Sequence, residues 1–213
     1  MRKMPKRIIL YLIRILVDVF YIFQPVCNAL SIVFDFFVSE WNKRKFESCG
    51  KTSKIENNIY IVGGKCIKIG NNTTISKDSS ITAWTEYYNQ KFTPKITIGD
   101  NCGIGERAHI TAINCISIGN GVLLGKDVLI TDNSHGDNSY HQLNTPPNER
   151  PLFSKGEVVI EDNVWIGEKA SILPGIRIGK GTIVAACSVV TKNVPENCIV
   201  AGIPAVVVRK IVE

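Results

Sequence analysis

The chain has 213 residues, is 45% hydrophobic, and carries 25 Lys and Arg against 19 Asp and Glu. The basic excess is confined to residues 1–54, which hold ten Lys and Arg and four Asp and Glu, whereas the rest of the chain holds 15 of each. Because residues 55–213 have no excess of positive charge to follow a phosphate backbone, the sequence argues against nucleic-acid binding. The seven cysteines form no Cys-x-x-Cys pair, which favours reduced thiols and a cytoplasmic protein.

Residues 1–54 are predicted to form a basic and apolar helical segment. The longest uncharged run, Val19 to Phe34, has 16 residues, fewer than the roughly 20 that a spanning helix needs. Pro25 lies within it and predicts a break between two helices. Between Ile8 and Val38 the charged residues are Arg14, Asp18 and Asp35.

Two roles are open for this segment. Residues 1–45 could lie against the inner membrane face, because Lys3, Lys6, Arg7, Lys43, Arg44 and Lys45 would be attracted to anionic lipid. Alternatively, the helices could cap the next domain or pack between subunits, since an open repeat end exposes unpaired strand edges. No small-residue cleavage site follows the apolar run, which argues against a signal peptide.

From Ile55 to Val190 an aliphatic residue recurs at every sixth position, in blocks. All 19 of these positions are Ile, Leu or Val, and 16 are Ile. Period six fits neither a helix nor an ordinary strand and is typical of a parallel β-helix, in which three hexads form one coil. We therefore predict an all-β solenoid of about six coils over residues 55–211, with each aliphatic residue stacked on the one 18 positions away.

The hexads are joined by predicted turns that tolerate positive φ, at Gly70-Asn71-Asn72, Gly99-Asp100-Asn101, Gly119-Asn120-Gly121 and Glu161-Asp162-Asn163. The phase slips by two residues after Ile67 and after Ile116, which predicts longer corners. The pattern is lost at 84–95 and at 131–158, and both stretches should leave the solenoid as excursions. Such loops on a rigid scaffold are a usual place for function.

The three histidines, His109, His135 and His141, are the residues best suited to accept a proton near neutral pH. Asn133 neighbours His135 in the run Thr131-Asp132-Asn133-Ser134-His135. Trp84 begins the first excursion, where aromatic faces would suit a sugar ring.

The segment from Val128 to Gly136 resembles the catalytic segment of hexapeptide-repeat O-acetyltransferases, such as the maltose, galactoside and polysaccharide (capsule, O-antigen, colanic acid) acetyltransferases. Val164-Trp165-Ile166-Gly167, Ala185 to Pro195 and Ile199 to Ala205 resemble the acetyl-CoA-binding and closing coils of the same family.

The resemblance implies a left-handed β-helix, a homotrimer, and direct acetyl transfer from acetyl-CoA to a saccharide or glycan hydroxyl, as in surface-polysaccharide biosynthesis. His135 would be the general base, with Asn133, His109 and Trp84 near the substrate and no metal. The cofactor-binding residues that it implies are Trp165, Gly167, Ala186, Thr191, Lys192 and Arg209.

Other functions stay open on the same scaffold. Within acyltransferases the acceptor could be serine or the amine of an amino sugar. The three histidines also allow a metal site like that of the γ-type carbonic anhydrases. A non-catalytic solenoid used as a scaffold is a further alternative.

Overall fold

The computed structural model describes residues 6–137 and 139–212. The part of the expected membrane-contact segment that precedes Lys6 therefore lies outside the described residues. By its internal contacts the chain divides into two compact units, residues 1–38 and 39–213.

The N-terminal unit contributes most of one long helix, α1 (Lys6–Lys43), which continues through Pro25. The expectation of two helices separated by Pro25 is therefore wrong. Pro25 lacks an N–H to donate to the carbonyl of Tyr21, but a single missing bond is tolerated where the helix on both sides is well formed. By length and composition alone, α1 is long and apolar enough to cross a membrane.

The second unit is a left-handed parallel β-helix with three long sheets, whose strands are parallel except that the last two strands of the chain pair antiparallel. Strands are numbered in chain order, and the chain visits sheets A, B and C in turn. Sheet A contains β1 (Ser48–Cys49), β4 (Ile67–Ile69), β9 (Lys95–Ile98), β12 (Cys115–Ile118), β17 (Val158–Ile160) and β20 (Arg177–Ile178). Sheet B contains β2 (Lys54–Ile55), β5 (Thr74–Ile75), β10 (Gly103–Ile104), β13 (Leu123–Leu124), β18 (Trp165–Ile166), β21 (Ile183–Val184), β23 (Cys198–Gly202) and β24 (Ala205–Lys210). Sheet C contains β3 (Tyr60–Val62), β6 (Ser80–Ala83), β11 (His109–Ala112), β14 (Leu129–Thr131), β19 (Ser171–Ile172) and β22 (Val189–Val190).

The hexad isoleucines fill the prism. Ile55, Ile75, Ile110 and Ile130 are each 0% exposed, as the period-six pattern predicts. The stacking interval is not a uniform 18, however. Ile55 pairs with Ile75 and Ile110 with Ile130, at intervals of 20, whereas Ile166 pairs with Val184 at 18. The phase slips do not fall in corners, because Ile67 and Ile69 are both buried in β4 and Ile116 and Ile118 are both buried in β12. The expectation of longer corners is therefore wrong: β11 and β12 have four residues each and are joined by only two.

The corner between sheets A and B repeats one turn conformation. Its third residue has positive φ in four successive coils, with φ of 54° at Asn72, 57° at Asn101, 65° at Gly121 and 57° at Asn163. Side-chain oxygens also bridge the coils, since Asp100 Oδ1 accepts from Asn71 N at 2.6 Å and Asp162 Oδ1 accepts from Asn120 N at 2.7 Å. Asn and Gly at these positions are thus explained by backbone conformation.

The first coil is closed by the last turns of α1. The N–H of Ile55 donates to Ser39 Oγ at 3.0 Å, and Asn42 Nδ2 donates to the carbonyl of Glu56 at 3.0 Å. Both side chains are buried. They satisfy backbone groups in β2 and directly after it that would otherwise form an exposed edge.

Both excursions leave the solenoid where sheet C passes into sheet A. The first forms a hairpin of β7 (Glu86–Tyr87) and β8 (Gln90–Lys91). The second contains the antiparallel pair β15 (Ser134–His135) and β16 (Leu152–Phe153), with 3₁₀ turns at Tyr140–Gln142 and Pro147–Glu149 between them.

Candidate active site

A cleft of about 400 Å³ lies between the outer face of sheet C and the two excursions. It brings together the four residues that were predicted near the reacting groups, although they are up to 51 positions apart in sequence, from Trp84 to His135. The strands alternate inward and outward side chains, so residues two apart on β6 and on β11 face the cleft together. The lining consists of Tyr60, Ser80, Thr82, Trp84, Tyr87, His109, Thr111, Asn133, His135 and Leu152.

The two excursions are joined by two hydrogen bonds between the side-chain amide of Gln90 and the backbone of Leu152. Gln90 Nε2 donates to the carbonyl of Leu152 at 3.1 Å, and the N–H of Leu152 donates to Gln90 Oε1 at 2.7 Å. Leu152 is in turn the strand partner of His135. The hairpin of the first excursion therefore fixes the strand that holds the histidine.

His135 is exposed to the cleft, and its closest described partner is a phenol. Its Nδ1 lies 3.4 Å from Tyr87 Oη, and that hydroxyl donates to the carbonyl of Asn148 at 2.6 Å. The two rings meet edge to face, with centroids 5.7 Å apart. Partial desolvation, with a smaller contribution from Tyr88, raises the pKa of Tyr87 above its ordinary value, so the phenol keeps its proton at neutral pH.

A buried carboxylate holds the start of the second excursion. Asp132 is 0% exposed, and its two oxygens accept from the N–H groups of Ile113 at 2.9 Å and Asn114 at 2.8 Å. Asn133 Nδ2 donates to Asp132 Oδ1 at 3.1 Å and to the carbonyl of Thr111 at 3.3 Å. The predicted neighbour of His135 is thus tied to the adjacent coil.

The floor of the cleft contains two polar side chains with distinct properties. Thr82 Oγ1 is buried, and it is the one buried side-chain oxygen without a hydrogen-bond partner in the described part of the chain. His109 is on β11, two strands from β3, and lines the cleft on the same face of sheet C as Tyr60. Desolvation lowers its pKa. The imidazole of His109 is therefore biased towards the neutral form.

The six predicted cofactor-binding residues lie outside this cleft. Trp165 is on sheet B and half exposed, and Arg209 is on the last strand. Gly167 packs against the next coil, since a Cβ there would lie 2.5 Å from the backbone nitrogen of Ala186. Thr191 and Lys192 directly follow β22, which is three strands from β11 in sheet C. At ~4.8 Å between neighbouring strands, β22 and β11 are about 14 Å apart.

Sequence reasoning missed several lining residues. Ser80, Thr82 and Thr111 could have been found from their alternation with the inward Ile81 and Ile110. The role of Tyr87 could not, because its contact with His135 joins two loops that have no shared period. Among residues 6–137 and 139–212, no group of three or more His, Cys, Asp or Glu side chains is arranged to hold a metal ion.

Two family models match the solenoid. The bacterial transferase hexapeptide model (six repeats) matches residues 157–192, and the model for the hexapeptide repeat of succinyl-transferase matches residues 95–132. Both matches fall on coils of the β-helix. The two matched segments are therefore similar to the hexapeptide repeats of bacterial transferases. The chain spans less than two thirds of the length of the curated relatives that it matches.

Three known proteins indicate how far the similarity extends. Over 119 residues the chain is 40% identical to a protein described as a lipopolysaccharide biosynthesis O-acetyl transferase, WbbJ, of Escherichia coli strain K12, covering 54% of this chain and 60% of that protein. A maltose O-acetyltransferase from Clostridium difficile 630 superposes with a TM-score of 0.54 at 28% identity, over 80% of this chain and 73% of that one. The N-acyltransferase AntD from Bacillus cereus, solved with dTDP-4-amino-4,6-dideoxyglucose and coenzyme A, superposes with a TM-score of 0.68 at 24% identity, over 82% and 89% of the two chains. The last likeness concerns the fold alone.

Proposed function

We propose that this protein is an acetyl-CoA-dependent O-acetyltransferase that acts on a saccharide hydroxyl, in the synthesis of a surface polysaccharide. The observation that carries the proposal is the cleft in which His135 is exposed beside a fixed phenol and a row of hydroxyl side chains. The similarity to O-acetyltransferases supports it.

The hydrogen bonds around Tyr87 favour one tautomer of His135. The single phenol proton is directed to the Asn148 carbonyl at 2.6 Å, so Tyr87 Oη can only accept from His135 Nδ1. The proton of the neutral imidazole then lies on Nδ1, and Nε2 carries the lone pair. Assigned in this way, His135 is prepared to act as a base through Nε2.

In the proposed reaction, Nε2 of His135 removes the proton of the acceptor hydroxyl while that oxygen forms a bond to the thioester carbonyl carbon. The carbon–sulfur bond then breaks, and the proton held by His135 passes to the departing thiolate, giving an acetyl ester and free coenzyme A. General-base catalysis of this kind contributes about 10²–10⁴-fold. Holding both substrates in one groove supplies a further part of the rate through proximity.

The cleft suits a saccharide acceptor. Trp84 and Tyr60 supply aromatic faces, while Ser80, Thr111 and the unpartnered hydroxyl of Thr82 supply hydrogen-bonding groups. Apolar ring faces with a few placed polar groups are typical of small-molecule sites. A buried hydroxyl without a partner gains most from a ligand that bonds to it.

Coenzyme A would extend away from the cleft, along the solenoid. Lys192 and Arg209 are exposed cations suited to its phosphates, and Gly167 lies against the backbone of Ala186 in the next coil. Because these residues are spread over sheets B and C, we propose that a homotrimer completes the groove, with a neighbouring copy forming its second wall.

The test measures free thiol released from acetyl-CoA with a panel of sugars, lipid-linked glycans, amino sugars and serine. The matched variants are His135→Ala and His141→Ala, because His141 lies in the same excursion but outside the cleft. We expect turnover with a sugar, retained in His141→Ala and reduced by at least about 10²-fold in His135→Ala. Turnover with serine or amino sugars alone would show that the acceptor is not a saccharide hydroxyl. Full activity of His135→Ala would refute the mechanism.

A further inference from the structure

We propose that α1 binds in the plane of an anionic bilayer surface, with its apolar face buried at the boundary of headgroups and acyl chains. The inference does not depend on acetyl transfer. It starts from exposure, because every residue from Lys6 to Phe34 is exposed, including Phe20 and Ile22 at 71% each. An apolar surface of this size marks an interaction site.

The polar residues of α1 form one stripe. At about 100° of rotation per residue, the charged, amide and serine residues between Lys6 and Ser39 fall within a sector of roughly 140°. The opposite face, roughly 220° wide, is apolar. The residues of the stripe are Lys6, Arg7, Arg14, Asp18, Gln24, Asn28, Ser31, Asp35 and Ser39.

This stripe fits a helix that lies on a bilayer better than one that crosses it. With 38 residues, α1 is about 57 Å long, against a hydrocarbon core of about 30 Å. The uncharged run from Val19 to Phe34 is 16 residues, or about 24 Å. A crossing would therefore bring Asp18 or Asp35 into the hydrocarbon, whereas an in-plane helix leaves both in the headgroup layer.

Pro25 supports the same orientation. It leaves the carbonyl of Tyr21 without its helical donor, and both residues fall in or beside the polar stripe. In an in-plane helix, water or headgroups can bond to that carbonyl, whereas hydrocarbon offers no donor.

Charge determines the kind of lipid. Lys6 and Arg7 begin the helix, and the exposed Arg44 and Lys45 directly follow its end. Lys43 is instead engaged by Glu40 and by the carbonyl of Lys51. The remaining residues, 55–213, are balanced at 15 charges of each sign. Basic groups near both ends of the helix would be attracted to anionic lipid headgroups.

The test is flotation of the full chain with vesicles of phosphatidylglycerol and phosphatidylcholine, or of phosphatidylcholine alone. Phe23→Gln with Leu30→Gln changes the apolar face, and Asn28→Gln with Ser31→Gln is the matched control on the stripe. We expect wild type and control to float with anionic vesicles and to be released by alkaline carbonate. The apolar-face variant should partition more than about 100-fold more weakly, given the transfer free energy of two large side chains.

Other outcomes would overturn the proposal. Equal binding of both variants, or no flotation of the wild type, would show that the apolar face does not bind lipid. Resistance to carbonate would indicate a spanning helix. The apolar-face variant could also form a smaller oligomer in sedimentation without lipid and still float with vesicles. That result would assign the apolar face to contacts between copies of the chain. Circular dichroism of the solenoid confirms that each variant is folded.

Discussion

Tyr87 Oη lies 3.4 Å from His135 Nδ1 while it donates to the carbonyl of Asn148 at 2.6 Å, so one phenol connects both excursions. Because the hydroxyl proton is already engaged, the phenol faces His135 as an acceptor. This relationship gives the first prediction. Tyr87→Phe keeps the ring but loses the acceptor, and a neutral hydrogen bond contributes about 0.5–1.5 kcal/mol.

We therefore expect Tyr87→Phe to lower kcat by about twofold to tenfold with little change in acceptor KM. Steady-state kinetics and nitrogen-15 NMR of the histidine tautomer would measure this effect. A variant that alters KM alone would show that Tyr87 contacts the acceptor instead.

Thr82 gives a prediction with two opposite readouts. Its buried hydroxyl has no partner within the described chain, so Thr82→Val removes an unsatisfied group at nearly constant shape. We expect the free energy of unfolding to rise by about 1 kcal/mol and the acceptor KM to rise by about fivefold or more. Urea denaturation and acceptor titration test the pair, and a loss of stability would show that the hydroxyl is satisfied in the free protein.

Asp132→Asn tests the anchor of the second excursion. The carboxylate accepts two backbone N–H bonds, from Ile113 and Asn114, whereas an amide can accept on one oxygen only. We expect a loss of about 1–3 kcal/mol in unfolding free energy, together with lower kcat because His135 is three residues away. Asp137→Asn, at an exposed position, is the control.

The lowered pKa of His109 predicts a pH dependence of stability. Desolvation disfavours the imidazolium in the folded protein, so the unfolded chain binds more protons once the pH reaches its ordinary value of about 6.5. The free energy of unfolding should fall as pH drops through that value.

The matched measurement compares urea midpoints at pH 7.5 and 5.5. We expect His109→Gln to lose less stability than the wild type over this interval, and His141→Gln, which lies outside the cleft, to behave as the wild type does. Equal losses in all three proteins would assign the pH dependence to other groups.

The sequence predicts the parts of this protein that repeat. The hexad isoleucines identify the inward positions, and Asn72, Asn101 and Asn163 have the positive φ expected of their turns. The interval of 20 residues in the first coils was not predicted, because the phase slips at Ile67/Ile69 and Ile116/Ile118 were assigned to corners, whereas both fall within strands of sheet A. The continuity of α1 through Pro25 was missed because local preference indicates a break there.

The cleft was predictable only in part. His135 and its neighbours follow from their loop and residue type, whereas the contact with Tyr87 joins residues 48 positions apart. Packing between two excursions depends on tertiary contacts that leave no periodic signal. The roles of Trp165, Gly167, Ala186, Thr191, Lys192 and Arg209 stay predictions.

Both excursions emerge where sheet C turns into sheet A, and between them one coil closes with only two residues, Ile113 and Asn114, from β11 to β12. A loop inserted at this corner leaves the inward isoleucines of adjacent coils in register. For the proposed acetyltransferase, exchange of these loops among relatives would change the acceptor while the coils stay intact. Chimeric proteins with transplanted 84–95 or 131–158 segments would test this consequence of the proposal.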